Sequence, residues 1–327
     1  MRAFEYASPG TKEQAVALLG PSPRDAAVLA GGTDLLALMK DEVVTPKRVV
    51  DLSGIEELRG IRLDRSTGLR LGALTTFEEL LDHAELRKTY PSLWAAVEGV
   101  RSPQIRSVGT VGGDLLQRPR CWYYRSGFGL LAQEGGRSMV VDGDNRYHAI
   151  FGGGPAYFVS PSSLGPALVA LGATVRVFGA KGARDVPADA FFRTPKTSDE
   201  REHQIGPDQI VTEVRVPAPS GPNATYEVRE KEALDWPLAT ASVALKMNGG
   251  TVQSARVVLG HVAPVPWVSA EAAAALAGKT VSEATAQAAG DAAVKSAKPL
   301  SGNAYKVQLA RVAVKRAVLA AAGGGAR

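Results

Sequence analysis

Two glycine-centred turns constrain this chain more than anything else in it. The first is Val28-Leu29-Ala30-Gly31-Gly32-Thr33-Asp34-Leu35-Leu36, and the second, Gly109-Thr110-Val111-Gly112-Gly113-Asp114-Leu115, follows about eighty positions later. Each sets a short apolar run before the turn and a polar side chain after it. Glycines lack the Cβ that keeps backbone N–H groups away from an anion, so phosphate oxygens can approach closely. Thr33 adds a hydroxyl donor, and Asp34 is predicted to cap a helix begun by Leu35, Leu36, Leu38 and Met39. A strand-to-helix turn with two glycines also arises for purely structural reasons. Two in one chain suit a dinucleotide, which has a pyrophosphate and a ring system to hold in separate places.

The order of elements around these turns reads as a mixed α+β chain. Phe4-Glu5-Tyr6, Ala27 to Ala30 and Arg48 to Leu52 are predicted strands, alternating with a helix capped by Thr11 and another over 34–40. A strand over 68–73 and a capping box at Thr75 or Thr76 follow. Further on come a helix from Leu164 to Leu171 and strands at 174–178 and 209–217. Pro217-Ala218-Pro219-Ser220-Gly221-Pro222 is the linker candidate. Beyond it, 224–229, 239–247 and 251–260 alternate as strands, the last two joined at Asn248-Gly249-Gly250. An alanine-rich helical tail closes the chain and ends in Gly323-Gly324-Gly325, which reads as disordered.

Charge and cysteine content narrow the function classes. The 327 residues carry a net charge of +5, spread along the chain rather than gathered in the stripe that nucleic acid requires. The one cysteine excludes an internal disulfide framework and suits a reducing compartment. The N-terminus lacks the apolar core of a signal peptide, and no apolar run suggests a membrane span. The reading is a soluble, cytoplasmic protein.

With these motifs in order, the whole chain resembles the FAD-binding (medium) subunit of the molybdenum hydroxylases: the xanthine dehydrogenase, aldehyde oxidoreductase and carbon monoxide dehydrogenase flavoproteins. The resemblance is carried by Phe4-Glu5-Tyr6, by Ala30 to Leu35, and by Gln104 to Asp114. It continues through Arg118-Pro119-Arg120-Cys121-Trp122-Tyr123, Gly143 to Ile150, Ser160-Pro161-Ser162, Val228-Arg229-Glu230-Lys231 and Asp235 to Leu238. It implies a two-part FAD-binding domain of the vanillyl-alcohol oxidase type over 1–218, with a small part to about 55 and a larger one from about 56. A small domain of three strands plus helices is implied over 223–327. It further implies that FAD lies on Ala27, Val28, Leu29, Ala30, Gly31, Gly32, Thr33, Asp34 and Leu35, with Thr110, Gly112, Gly113 and Asp114 reaching the flavin side. Ile210 or Val211 matches an apolar contact to the isoalloxazine. A lysine contact of the family aligns with Glu227 here, with Lys231 four residues on as its substitute.

The implied role is electron transfer. A molybdopterin-binding large subunit and a [2Fe–2S] small subunit are the implied partners, and export to the periplasm is expected only through a partner's signal. A stand-alone FAD-dependent oxidase or reductase is the alternative, and it needs an acid or base at the flavin. His83 and His203 read as surface residues, and His148 is the histidine near the glycine-rich loop 117–158. Trp122, Tyr123 and Tyr124 are suited either to stacking on a flavin or partner or to packing that loop. Arg118, Arg120 and Arg125 are the expected interface cations. In the aldehyde oxidoreductase branch the loop holds a [4Fe–4S] cluster through four cysteines. This chain offers Cys121 alone, with Leu130-Leu131, Ser138-Met139 and Ala156 at the other three places. No cluster or metal is therefore expected. The loop is expected to be held by Phe128, Leu130, Leu131, Met139 and Phe151, with Cys121 a buried thiol.

Overall fold

The computed structural model describes residues 1–232 and 234–323. Its N-terminal strands β1 (Glu5–Ala7), β2 (Ala26–Leu29) and β3 (Arg48–Asp51) form a parallel sheet in the order β1-β3-β2. Parallel neighbours need a crossover, and helices Lys12–Ala17 and Leu35–Lys40 supply it. The first begins where Thr11 accepts a hydrogen bond from the Gln14 N–H at 3.2 Å.

The next sheet is antiparallel. Its strands are β4 (Ile61–Asp64), β5 (Gly68–Gly72), β8 (Thr174–Gly179), β9 (Gly182–Pro187) and β10 (Ile210–Val216), in the order β4-β5-β10-β8-β9. A two-residue-per-strand hairpin, β6 (Gln133–Glu134) and β7 (Arg137–Ser138), lies outside it. Thr76, not Thr75, makes the capping box of helix Phe77–Asp82, with Glu79 answering its N–H at 2.6 Å. Leu80, Leu93, Val97 and Leu168 from the covering helices are fully buried with Leu71, Val175 and Val214 from the sheet. At about 25 cal/mol per Å² of apolar surface, such shared burial is the dominant reason the helices stay on the sheet. A second apolar cluster joins Val50, Leu52 and Ile55 of the N-terminal part to Leu74 and Ile210, so the two parts meet at the start of β10.

Beyond Pro222 the chain forms β11 (Asn223–Val228), β12 (Ala239–Asn248) and β13 (Thr251–Gly260), antiparallel neighbours. The β12–β13 turn falls at Asn248-Gly249-Gly250 as its chemistry demands, with Gly249 at φ +58°. A fourth short strand, β14 (Trp267–Val268), pairs with β13, so the sheet exceeds the expected three strands by one. Two residues that follow Pro266 give no period to read. Helices Ala270–Leu276, Glu283–Ala293 and Tyr305–Ala321 pack Leu276, Ala289, Val314 and Val318 onto this sheet. No helix among the described residues is long and apolar enough to cross a membrane.

Candidate functional site

The two glycine turns face each other, and their hydrogen bonding differs sharply. Among the described residues, the backbone N–H groups of Gly31, Gly32, Thr33, Asp34 and Leu35 have no acceptor within the protein. In the second turn every N–H from Val111 to Asp114 is engaged. Val111 donates to the Thr75 carbonyl at 2.9 Å, Gly112 to Ala73 at 2.8 Å, Gly113 to Thr110 Oγ1 at 3.1 Å and Asp114 to the Thr110 carbonyl at 2.8 Å. The N–H groups of the first turn are open to an anion, and those of the second are taken up as a finished wall. The turns touch where a Cβ on Gly31 would fall 1.8 Å from the Val108 carbonyl oxygen. Gly31 is thus fixed by that approach, and Gly32 by its positive φ of +73°.

Two chambers open on either side of this contact. One, of about 220 Å³, is lined by Ala27, Val28, Ala30, Gly32, Thr33, Asp34 and Leu35 of the first turn, by Thr110, Gly112 and Gly113 of the second, and by Ile210 and Val211. The other, of about 320 Å³, is lined by Thr33, Thr110, Gly113 and Asp114 together with Phe77, Val100, Ile105 and Arg229. Thr33, Thr110, Gly113 and Gln117 line both, so the two form one continuous cleft. Leu29 points beside Gly32, its Cδ1 3.3 Å from where a Cβ there would stand. Lys231 is exposed and lies outside both linings. Arg229, two residues earlier on the same segment, reaches the larger chamber and is ion-paired with buried Glu227. Burial pushes the Glu227 carboxyl up to about 7, with Arg229 opposing the rise.

Asp34 does not cap its helix. Its carboxylate accepts from the Arg118 N–H at 2.7 Å and from Arg125 Nη2 at 2.7 Å, with Arg120 Nη1 at 3.3 Å. The guanidiniums of Arg125 and Arg120 and the backbone N–H of Arg118 occupy this carboxylate and draw it away from the start of the helix. The reading of Arg118 and Arg125 as interface cations is corrected, since the Arg125 guanidinium turns inward to Asp34 and that of Arg118 to Glu202. Asp114 likewise faces away from solvent. It accepts from Ser162 Oγ at 2.5 Å, Ser163 N at 3.1 Å and Leu164 N at 3.0 Å, fixing the start of helix Leu164–Ala170 behind the second turn.

Arg118 and Arg201 also line the smaller chamber, with Glu202 beneath them. Burial works to raise the Glu202 pKa, but Arg118, His203 and Arg201 overcome it and hold the carboxylate below its usual range. Arg201 Nε is buried without a partner, a cation free to serve an anionic guest. The sequence reading missed Arg201 because a charged triplet looks solvated. It also misread His203, which is 5% exposed between Phe191 and Phe192. Only tertiary contact reveals either.

In the loop 117–158, Leu131, Ala156 and Phe158 form a small buried cluster with Cys121 and Leu130 against it. Cys121, Leu130-Leu131 and Ala156, three of the four expected positions, therefore do converge, and apolar side chains fill the space between them. Three details differ from expectation. Phe128 is exposed because Gly127 and Gly129 turn the chain outward at positive φ, Phe151 stacks on Trp267 in the C-terminal core, and Met139 lies outside the cluster. Cys121 is half-buried, with Sγ 3.1 Å from His148 Nε2, and burial raises its thiol pKa.

Residues 2–219 match the family described as the FAD binding domain in molybdopterin dehydrogenase, and residues 224–321 match the CO dehydrogenase flavoprotein C-terminal domain. The carbon monoxide dehydrogenase medium chain of Hydrogenophaga pseudoflava is 32% identical over 324 residues, covering 97% of this chain and 96% of that one. The aldehyde oxidoreductase FAD-binding subunit of Escherichia coli is 32% identical over 316 residues, covering 95% and 96%. Among solved structures, carbon monoxide dehydrogenase from Hydrogenophaga pseudoflava lacking the Mo-pyranopterin moiety superposes with a TM-score of 0.77 at 31% identity, over 99% of both chains.

Proposed function

The chain belongs to the FAD-binding medium subunits of the molybdenum hydroxylases, the group of xanthine dehydrogenase, aldehyde oxidoreductase and carbon monoxide dehydrogenase, and from that membership we propose that it is the electron-transfer subunit of such an enzyme. The observation that carries this reading is the row of five unpartnered N–H groups, Gly31 to Leu35, lying between two chambers. A pyrophosphate on that row leaves one ring system for each side. Ile210 and Val211 would form the apolar wall for the isoalloxazine, as the family resemblance implies, and Phe77 and Val100 would then be left for the adenosine. Arg201 supplies charge to the anion, and Asp34 holds the arginine loop over it. When bound, FAD supplies the redox chemistry, taking electrons from partner iron–sulfur clusters and passing them to an external acceptor.

Among the described residues lining the chambers there is no histidine, and the carboxylates Asp34, Asp114 and Asp235 are engaged in hydrogen bonds within the protein, which favours electron transfer over proton abstraction from a substrate. The reading includes a molybdopterin-binding large subunit and a [2Fe–2S] small subunit as partners, a cytoplasmic location, and domains divided between residues 218 and 223. It also includes no iron–sulfur cluster in this chain, a view supported by the apolar filling around Cys121. The test is purification of the chain alone and from its native host. One FAD per chain, iron and acid-labile sulfide at background, and co-purification with two further subunits are expected. Turnover of a small substrate by the isolated chain, or a chain recovered without flavin and without partners, overturns the reading.

A further inference from the structure

A third chamber, of about 270 Å³, lies beyond the cleft and shares only Arg120, Asp235, Trp236 and Pro237 with it. Trp122, Tyr147 and Trp236 stand at its partly exposed side, while Phe158 and His261 are buried within. An engineered cavity of roughly 150 Å³ holds benzene, so this one admits one or two rings.

Most of its polar groups are engaged. Lys306 is 1% exposed, yet its ammonium donates to the carbonyls of His261 at 2.7 Å, Tyr147 at 3.1 Å and His148 at 3.4 Å. Asp235 accepts from the N–H groups of Lys231 at 3.0 Å and Trp236 at 2.9 Å. Cys121 and His148 face each other. Among the described residues lining the chamber, three buried nitrogens lack a partner, Arg120 Nε, His148 Nδ1 and His261 Nε2. His261 is the most buried of the three residues, at 2% exposed. Its Nδ1 lies 3.0 Å from the fully buried hydroxyl of Thr240. That hydroxyl has no other side-chain partner among the described residues and must place its hydrogen somewhere, so Nδ1 accepts. The ring proton then sits on Nε2, as an unused donor. Burial lowers the His261 pKa to about 3, with Lys306 adding to the effect, so the ring is neutral near pH 7.

A buried donor deep in an aromatic chamber favours a ring that brings an acceptor. A purely apolar ring would leave Nε2–H unsatisfied. We propose that this chamber is a second ligand site, taking a planar ring that carries a carbonyl oxygen, with His261 Nε2–H as its donor and Trp122 and Trp236 as its walls. The site stands on its own geometry and does not depend on the FAD assignment.

The four tryptophans make the test site-resolved. The full-length, FAD-loaded protein, labelled with 5-fluorotryptophan, is titrated with acetophenone and, as a matched ring without the carbonyl, ethylbenzene. In the fluorine spectrum, acetophenone should shift the resonances of Trp122 and Trp236 saturably while Trp94 and Trp267 stay still. Ethylbenzene should bind about tenfold more weakly. His261→Phe should erase that preference, and His261→Gln, which keeps a donor, should retain most of it. Should His261→Phe fail to fold, Leu238→Trp, which fills the chamber from its rim, must silence the Trp122 response. Equal binding of the two probes, a shift at Trp236 without Trp122, or an undiminished Trp122 response in Leu238→Trp each overturns the proposal.

Discussion

Replacing Gly31 by alanine is the most discriminating perturbation of the cleft. A Cβ at this position meets the Val108 carbonyl oxygen at 1.8 Å, its carbon at 2.6 Å and the Gly109 nitrogen at 3.3 Å. All three are backbone atoms, so no side-chain rotation relieves the overlap. Restoring contact near 3.4 Å requires the two turns to separate by about 1.6 Å. The second turn is pinned, with Gly109 donating to the Ile105 carbonyl at 2.6 Å and accepting from the Phe77 N–H at 3.0 Å. The first turn must therefore give way, and its N–H row moves out of reach of an anion seated against Thr110 and Gly113. Losing two hydrogen bonds to a charged group, at about 1.5–3 kcal/mol each, corresponds to roughly a 10²- to 10⁴-fold fall in FAD affinity. Gly32→Ala is the control. Its Cβ meets only the flexible ends of Leu36 at 3.0 Å and Leu29 at 3.3 Å. The remaining penalty is about 1–2 kcal/mol of left-handed backbone strain, felt mainly in stability. Fluorescence titration of deflavinated protein with FAD measures both affinities, and circular dichroism verifies the fold. Gly31→Ala binding FAD within threefold of the parent, or Gly32→Ala binding it more weakly than Gly31→Ala, refutes the reasoning.

Two further outcomes concern buried charge. His203 has its pKa lowered to about 4 by burial, against about 6.5 when unfolded, so its contribution to stability is intact above pH 6.5 and is lost as pH falls toward 4, at about 1.4 kcal/mol per pH unit. His203→Phe, packed against Phe191 and Phe192, should flatten the pH dependence of urea unfolding between pH 6.5 and 4 by one proton; an unchanged slope counts against it. Arg229→Met should push the Glu227 carboxyl further above about 7, so that the loss of stability against the parent grows as pH rises above 7, and Glu227→Leu added to it should recover most of that loss. Equal instability of single and double variants in chemical denaturation contradicts the pairing.

The parts legible in the sequence are those with a local cause. The glycine pairs, the Thr11 cap, the Thr76–Glu79 box and the Asn248-Gly249-Gly250 hairpin each depend on residues a few positions apart, and each falls at or beside its expected place. Asp34 illustrates the opposite. Its immediate neighbours suggest a helix cap, yet its partners stand 84 and 91 positions away and no local period announces them. His203 fails for the same reason: Glu202-His203-Gln204 is polar in sequence, and only the return of the chain against Phe192 buries it. Arg229 in place of a lysine shows a third limit, because alignment to Glu227 fixes a position on β11 but not which neighbouring side chain reaches the cleft.

The unequal hydrogen bonding of the two turns bears on what completes each half of the cleft. Every amide of the second turn from Val111 to Asp114 finds its acceptor inside the polypeptide, and Asp114 locks the following helix in place. That half of the cleft can be complete as soon as the chain has folded, with no cofactor in attendance. The amides from Gly31 to Leu35 must meanwhile rely on water. The second turn is thus the half of the cleft that the polypeptide fixes by itself, and the first is the half whose amides a bound pyrophosphate would satisfy.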